Sequence, residues 1–159
     1  MGTHTILDRD GNTLHQGEAE SFVAFVEAHK ANLWRANLAG ANLAGAYLGR
    51  ANLAGANLAG ANLTQANLGG ADLEGADLAG ENLAGAYLAQ ANLTQANLAG
   101  ANLTQANLGR ADLRGAYLAG AYLTGANLTV ADLRGAYLGG TTLCWATIDG
   151  ARVNPADIG

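Results

Sequence analysis

The sequence predicts an all-β solenoid closed at its N-terminal end by a small hairpin-helix cap. Three observations point there: a strict five-residue period from Ala31 to Ile158, glycine recurring at one place in that period, and a non-repeating stretch over residues 1–30. Taken along the chain, each element has its own physical reason.

The first 30 residues break the period. Thr5-Ile6-Leu7 and Thr13-Leu14-His15 flank Asp10-Gly11, a turn signal between two short apolar runs, which predicts a hairpin. Glu18 to His29 reads as a short amphipathic helix with Ala19, Phe22, Val23 and Val26 on one face. Both phenylalanines, Phe22 and Phe25, lie here. Residues 1–30 are therefore expected to form a cap over the first turn of the solenoid, and residues 31–159 the solenoid itself.

In the repeat, the central leucine is labelled i. It is leucine at every fifth position from Leu33 to Leu143, followed by Ile148, Val153 and Ile158. Position i−2 is alanine except at Glu81 and Thr141, and i−1 is mainly Asn, Asp or Tyr. Glycine fills i+2 in 15 of 25 cases. On an α-helix, leucines five apart fall about 140° from one another and form no stripe; on a flat strand they alternate between faces. A short extended segment followed by a corner turns every leucine toward a common axis instead. Glycine at i+2 fits that corner, where a tight turn needs a positive φ.

The tandem A(N/D)LXX units, such as Ala71-Asp72-Leu73-Glu74-Gly75 and Ala111-Asp112-Leu113-Arg114-Gly115, resemble the pentapeptide-repeat family over residues 31–158. The resemblance implies a right-handed quadrilateral β-helix with four pentapeptides per coil, i and i−2 inside, and i−1, i+1 and i+2 outside. The five-residue period alone does not distinguish four sides from three. With four, residues twenty apart stack about 4.8 Å from each other, giving about six and a half coils and a rod on the order of 30 Å long.

A rod of stacked coils has two ends, each exposing an apolar layer and unpaired backbone. After Thr141-Thr142-Leu143-Cys144-Trp145 no helical segment follows Pro155, so the C-terminal end is expected to be uncapped. Self-association through that end, as a two-fold dimer, is the simplest cover, with Cys144, Trp145, Ile148, Val153 and Ile158 at or bordering the contact.

Composition narrows function. A net charge of −5 disfavours direct binding to nucleic acid. No apolar run is long enough to span a bilayer, and the start lacks a secretory layout, so a cytoplasmic protein without membrane contact is expected. The single cysteine cannot form an internal disulfide.

No catalytic, metal or cofactor site is expected. Asp8, Asp10 and Asn12 alternate as calcium ligands would, but Thr13 and Ala19 stand where the loop needs glycine and glutamate, so a plain turn is the better reading. His4, His15 and His29 all lie in the cap, far from Cys144, and read as structural or surface residues. Glu81 is the one ionisable residue at an inward position, stacked between Ala61 and Ala101. Its carboxyl is expected to be desolvated unless it finds donors or the backbone gives way.

These observations favour a non-enzymatic scaffold that binds through its outer faces. The family also includes proteins that protect DNA gyrase from quinolones, which implies an alternative role as an acidic imitation of DNA. Residues 31–159 carry eight acids against six arginines, and Arg114 and Arg134 stand beside Asp112 and Asp132, so that stripe is neutralised. The column at 44, 64, 84, 104, 124 and 144 reads Ala, Thr, Ala, Thr, Thr, Cys, which lacks the regular threonine ladder of an ice-ordering surface.

Overall fold

The computed structural model describes residues 1–153. Strand β1 (Gly2–Asp8) pairs antiparallel with β2 (Thr13–Ala19), from Gly2 opposite Ala19 to Leu7 opposite Thr13. The other edge of β1 pairs with β3 (Ala36–Asn37) of the first coil, Leu7 opposite Asn37, which ties the hairpin to the solenoid. Helix α1 (Phe22–Ala28) starts four residues later than the sequence suggests, because Glu18 and Ala19 belong to β2. Ser21 caps it, its hydroxyl accepting from the Ala24 N–H at 3.1 Å. Of the expected face, Val26 is buried and Phe22 and Val23 are partly buried against the core, while Ala19 packs there from β2 and Phe25, outside the expected set, is buried too. Phe25, Val26 and Ile6 join the same core as the first leucines, Leu33 to Leu48, all at most 2% exposed.

From Asn37 to Arg152, parallel bridges join each i−1 residue to the one twenty positions on, as in Asn42 with Asn62 and Asp112 with Asp132. Twenty residues per coil means four pentapeptides per turn. The i leucines and i−2 alanines form the interior, buried from Leu33 through Ala136 except for the partly buried Ala41.

The five N–H groups of each unit account for why the repeat has this length. That of i−2 donates to the carbonyl of the preceding i and closes the corner, as Ala101 to Leu98 at 3.0 Å. Those of i−1, i and i+2 bond to neighbouring coils, as Asn97 to Ala76, Leu98 to Tyr117 and Gly100 to Ala119 at 2.9, 2.7 and 2.9 Å. The fifth, at i+1, has no backbone partner, and the i−1 side chain supplies one: Ala99 N–H donates to Asn97 Oδ1 at 3.2 Å. All sixteen Asn and Asp residues at i−1 between Asn37 and Asp132 accept this bond. A backbone buried between coils leaves few donors unpaired, so this position selects a short side-chain acceptor.

The corner residue i+2 is left-handed throughout, with φ between 55° and 75° from Arg35 to Gly150. Glycine is favoured but not required: nine non-glycine residues adopt the same conformation, including Gln65, Arg110, Val130 and Trp145. Six of them lean over the glycine of the next coil. The Cγ of Gln65, for example, lies 3.4 Å from where a Cβ on Gly85 would sit, and that of Arg35 lies 3.4 Å from the same point on Gly55.

Candidate functional site

The interior is closed, so any site lies on the outer faces or at an end. Asp112 and Asp132, stacked on one face, each hold the arginine two residues on through two side-chain bonds. Arg114 Nε and Nη2 reach Asp112 at 2.8 and 2.6 Å, and Arg134 reaches Asp132 at 2.9 and 2.6 Å. Arg134's side chain is the largest influence holding the Asp132 carboxyl at about 2, and Arg114 lowers Asp112 in the same way. This stripe presents ion pairs, not free carboxylates.

Two open hollows of about 430 and 470 Å³ adjoin on that face and share Glu74 and Gln95. At one end Trp34 carries the Arg35 guanidinium 5.5 Å from its ring centre, and Arg35 also pairs with Asp10 at 3.0 Å. The lining residues place no nucleophile beside a base.

In the hairpin, Asp8 Oδ1 accepts from the N–H groups of Asp10 and Asn12, both at 2.9 Å, and its other oxygen from the Asn12 amide. The Asn12 side chain is the main cause that holds the Asp8 carboxyl below its ordinary range. The carboxylate braces the turn, and no cluster of three metal-ligating side chains occurs among the described residues. Sequence reasoning left the three histidines unassociated, whereas the fold gathers them around Phe25. The His29 and His15 rings lie 4.4 Å apart, tilted by 38°, and His4 lies 5.8 Å from Phe25. His15 and His29 each bond a backbone carbonyl, of Asn32 at 2.6 Å and Phe25 at 2.8 Å.

Glu81 is buried inside the solenoid at 2% exposure, and its carboxyl accepts from the Gly60 N–H. Desolvation is the largest influence and raises its pKa, opposed by the Gly60 bond.

Large exposed apolar side chains gather toward the C-terminal end. Tyr117 and Tyr137 stack at 4.5 Å on one face, Tyr122 stands on the next, and Val130 occupies a corner. Leu143 and Ile148, at interior positions of the last described coil, are 36% and 56% exposed, and Trp145 is 90% exposed. Cys144 is exposed beside it, and Val153 is partly buried against the core. Ile158 lies outside the described residues. Among those residues, the N–H groups of Leu143, Trp145, Ile148 and Gly150 have no backbone partner. The tyrosines were missed in the sequence although their signal was there: Tyr117 and Tyr137 stand twenty apart in an Asn/Asp column.

No helix among the described residues is long and apolar enough to cross a membrane. The family model for pentapeptide repeats matches eight copies over residues 28–58, 41–80, 82–118 and 111–150. A pentapeptide repeat protein (Rfr23) from the cyanobacterium Cyanothece 51142 is 36% identical over 59% of this chain and 64% of its own length, with a TM-score of 0.57. The match thus spans just under two thirds of that relative. A pentapeptide repeat protein from the thylakoid lumen of Arabidopsis thaliana is 31% identical over 68% of this chain and 74% of its own, with a TM-score of 0.59. The plasmid-mediated fluoroquinolone resistance protein QnrB1 is 17% identical over 76% of this chain and 78% of its own, with a TM-score of 0.38, a likeness too distant to carry function. No curated protein sequence matches the chain.

Proposed function

Because the chain belongs to the pentapeptide-repeat family, we propose that it is a non-enzymatic, right-handed quadrilateral scaffold that binds proteins through its outer surface, with the C-terminal end as its main contact and a second copy as the partner there. The observation that carries this reading is the concentration of exposed apolar side chains on the last coils, above all Trp145, Ile148 and Leu143. Water-exposed apolar surface of this kind marks a contact. The corners add direction. Arg35, Arg50, Gln65, Gln95, Gln105 and Val130 each lie over a glycine of the following coil, whereas Trp145 has no such glycine among the described residues. A second copy meeting this end through a two-fold axis would cover the ring and the edge together. The opposite end is occupied by Phe25, Val26 and Ile6, which favours like meeting like over head-to-tail growth.

Imitation of DNA needs a face of unpaired negative charge, and here Asp112 and Asp132 are matched by Arg114 and Arg134. A gyrase supercoiling assay with a fluoroquinolone separates the two readings. The scaffold reading expects no protection at low micromolar protein; protection would replace it with the gyrase-binding one.

A further inference from the structure

Among the described residues the ladder between coils has one faulty place, at Glu81. Of the twenty bonds from an i+2 N–H to the next coil between Arg35 and Val130, nineteen form, and the missing one is Gly60 to Ala79. The i−1 bonds from Asn57 to Arg152 show the same: the one absent is Asn82 to Ala61. Beside them, the corner bond from Glu81 N–H to Leu78 is stretched to 3.2 Å, the longest of its kind. Glu81 is the cause. Its side chain stands at an alanine position, and its Oε1 takes the Gly60 N–H that Ala79 would otherwise receive.

The two missing bonds release the N–H groups of Gly60 and Asn82 and the carbonyls of Ala79 and Ala61; the carboxyl takes the Gly60 N–H, and the Ala79 carbonyl is the acceptor which that N–H has left. A carboxylate satisfies the donor and repels the acceptor; a carboxylic acid satisfies both, accepting with its carbonyl oxygen and donating with its hydroxyl. We propose that Glu81 sits in the ladder as a neutral carboxylic acid bridging Gly60 N–H to the Ala79 carbonyl, and that ionising it opens the solenoid at this corner. The surroundings favour the neutral form. Burial opposes charge, and Asp77 adds like charge. The other side chains on the adjoining columns of these coils are Asn57, Asn62, Asn82, Asn97 and Asn102, so no cation faces the carboxyl. The corner column beside it is Gly40, Gly60, Gly80 and Gly100, which gives no bulky cover to hold the coils together once the bridge is lost.

The sign follows from proton binding. A carboxyl that stays protonated in the fold above its ordinary value of 4.5 binds more protons folded than unfolded. Its contribution is therefore complete below that value and is lost as pH rises through the raised folded one. Glu81→Gln presents the same donor and acceptor without titrating, and Glu81→Ala allows the two missing bonds to re-form. Two measurements test this: urea midpoints of the wild type and both variants from about pH 4 to 8, and a carbon-13 titration of the Glu81 carboxyl in the intact chain. The wild-type midpoint is expected to fall below that of Glu81→Gln as pH rises, with the carboxyl resonance still that of the acid above pH 4.5 and the Gly60 and Asn82 amides losing protection relative to the same amides of Glu81→Gln at the same pH. A constant separation between wild type and Glu81→Gln, or a carboxyl that titrates at its ordinary value, would overturn the proposal.

Discussion

Leu93 and Leu143 occupy equivalent places in the repeat but different places in the rod, and truncating each to alanine measures what stacking contributes. Leu93 is fully buried, with Leu73 and Leu113, also fully buried, one coil to either side. Leu93→Ala leaves a cavity that two intact coils cannot collapse, because their backbones are held by bonds of 2.7 to 2.9 Å such as Leu93 to Asp112 and Asn92 to Ala71. A loss of about 3 to 4 kcal/mol is expected, in the middle of the range for buried leucines. Leu143 is already 36% exposed and has a described coil on one side only. Its truncation removes less buried area and the edge can relax, for about 1 to 2 kcal/mol. With a urea slope of about 2 kcal/mol/M, the midpoints should drop by about 1.5 to 2 M and about 0.5 to 1 M respectively. Hydrogen exchange adds a spatial check, since the loss in Leu143→Ala should be confined to the last coils. Equal midpoint shifts in the two variants would show that stability does not come from stacking between neighbouring coils.

Val130 is a β-branched residue at φ 60°, a conformation costing about 1 to 2 kcal/mol for L-residues, so Val130→Gly should stabilise by about 0.5 to 1 kcal/mol after the added chain entropy, read as a higher thermal midpoint. Asn97→Ala removes the acceptor for the Ala99 N–H and the bond to Asp77 at 3.1 Å, and should cost about 1 kcal/mol in urea unfolding; no change would mean that the i+1 N–H is satisfied some other way. Asp132, held at about 2 by Arg134, contributes stability that is present above its unfolded value and lost as pH falls toward 2. In Arg134→Ala the Asp132 carboxyl should titrate closer to 3.8 by NMR, and an unmoved titration would refute the ion pair as the cause.

How much was legible depended on whether a feature repeats. Leucine every five residues excludes helix and flat sheet by arithmetic, and the inside and outside positions follow. The reason for Asn and Asp at i−1 does not follow from periodicity, because it rests on one backbone N–H per unit that the coil geometry leaves over; only the placement of Ala99 beside Asn97 Oδ1 reveals it. Glycine at i+2 fits a left-handed corner in the sequence, yet Gln65, Arg110 and even the β-branched Val130 take the same corner, with side chains on the outer surface. Glu81 stood out as an inward charge, but its effect on two bonds depends on where its carboxyl reaches, which the sequence does not encode locally. In the cap, the expected helix face omitted Phe25 because helix and strand patterns overlap at Glu18 and Ala19, where pairing with β1 prevails. The histidine grouping around Phe25 arises from the hairpin folding onto α1, a non-local contact.

The central claim, that this is a scaffold whose C-terminal end meets a second copy, is tested most directly by sedimentation equilibrium of the intact chain at tens of micromolar, beside a variant with Trp145 and Ile148 changed to lysine. A dimer, twice the 16.0 kDa of the chain, that dissociates in the lysine variant while its circular dichroism stays unchanged is the predicted result. A monomer for the intact chain, or a dimer indifferent to both lysines, would contradict it.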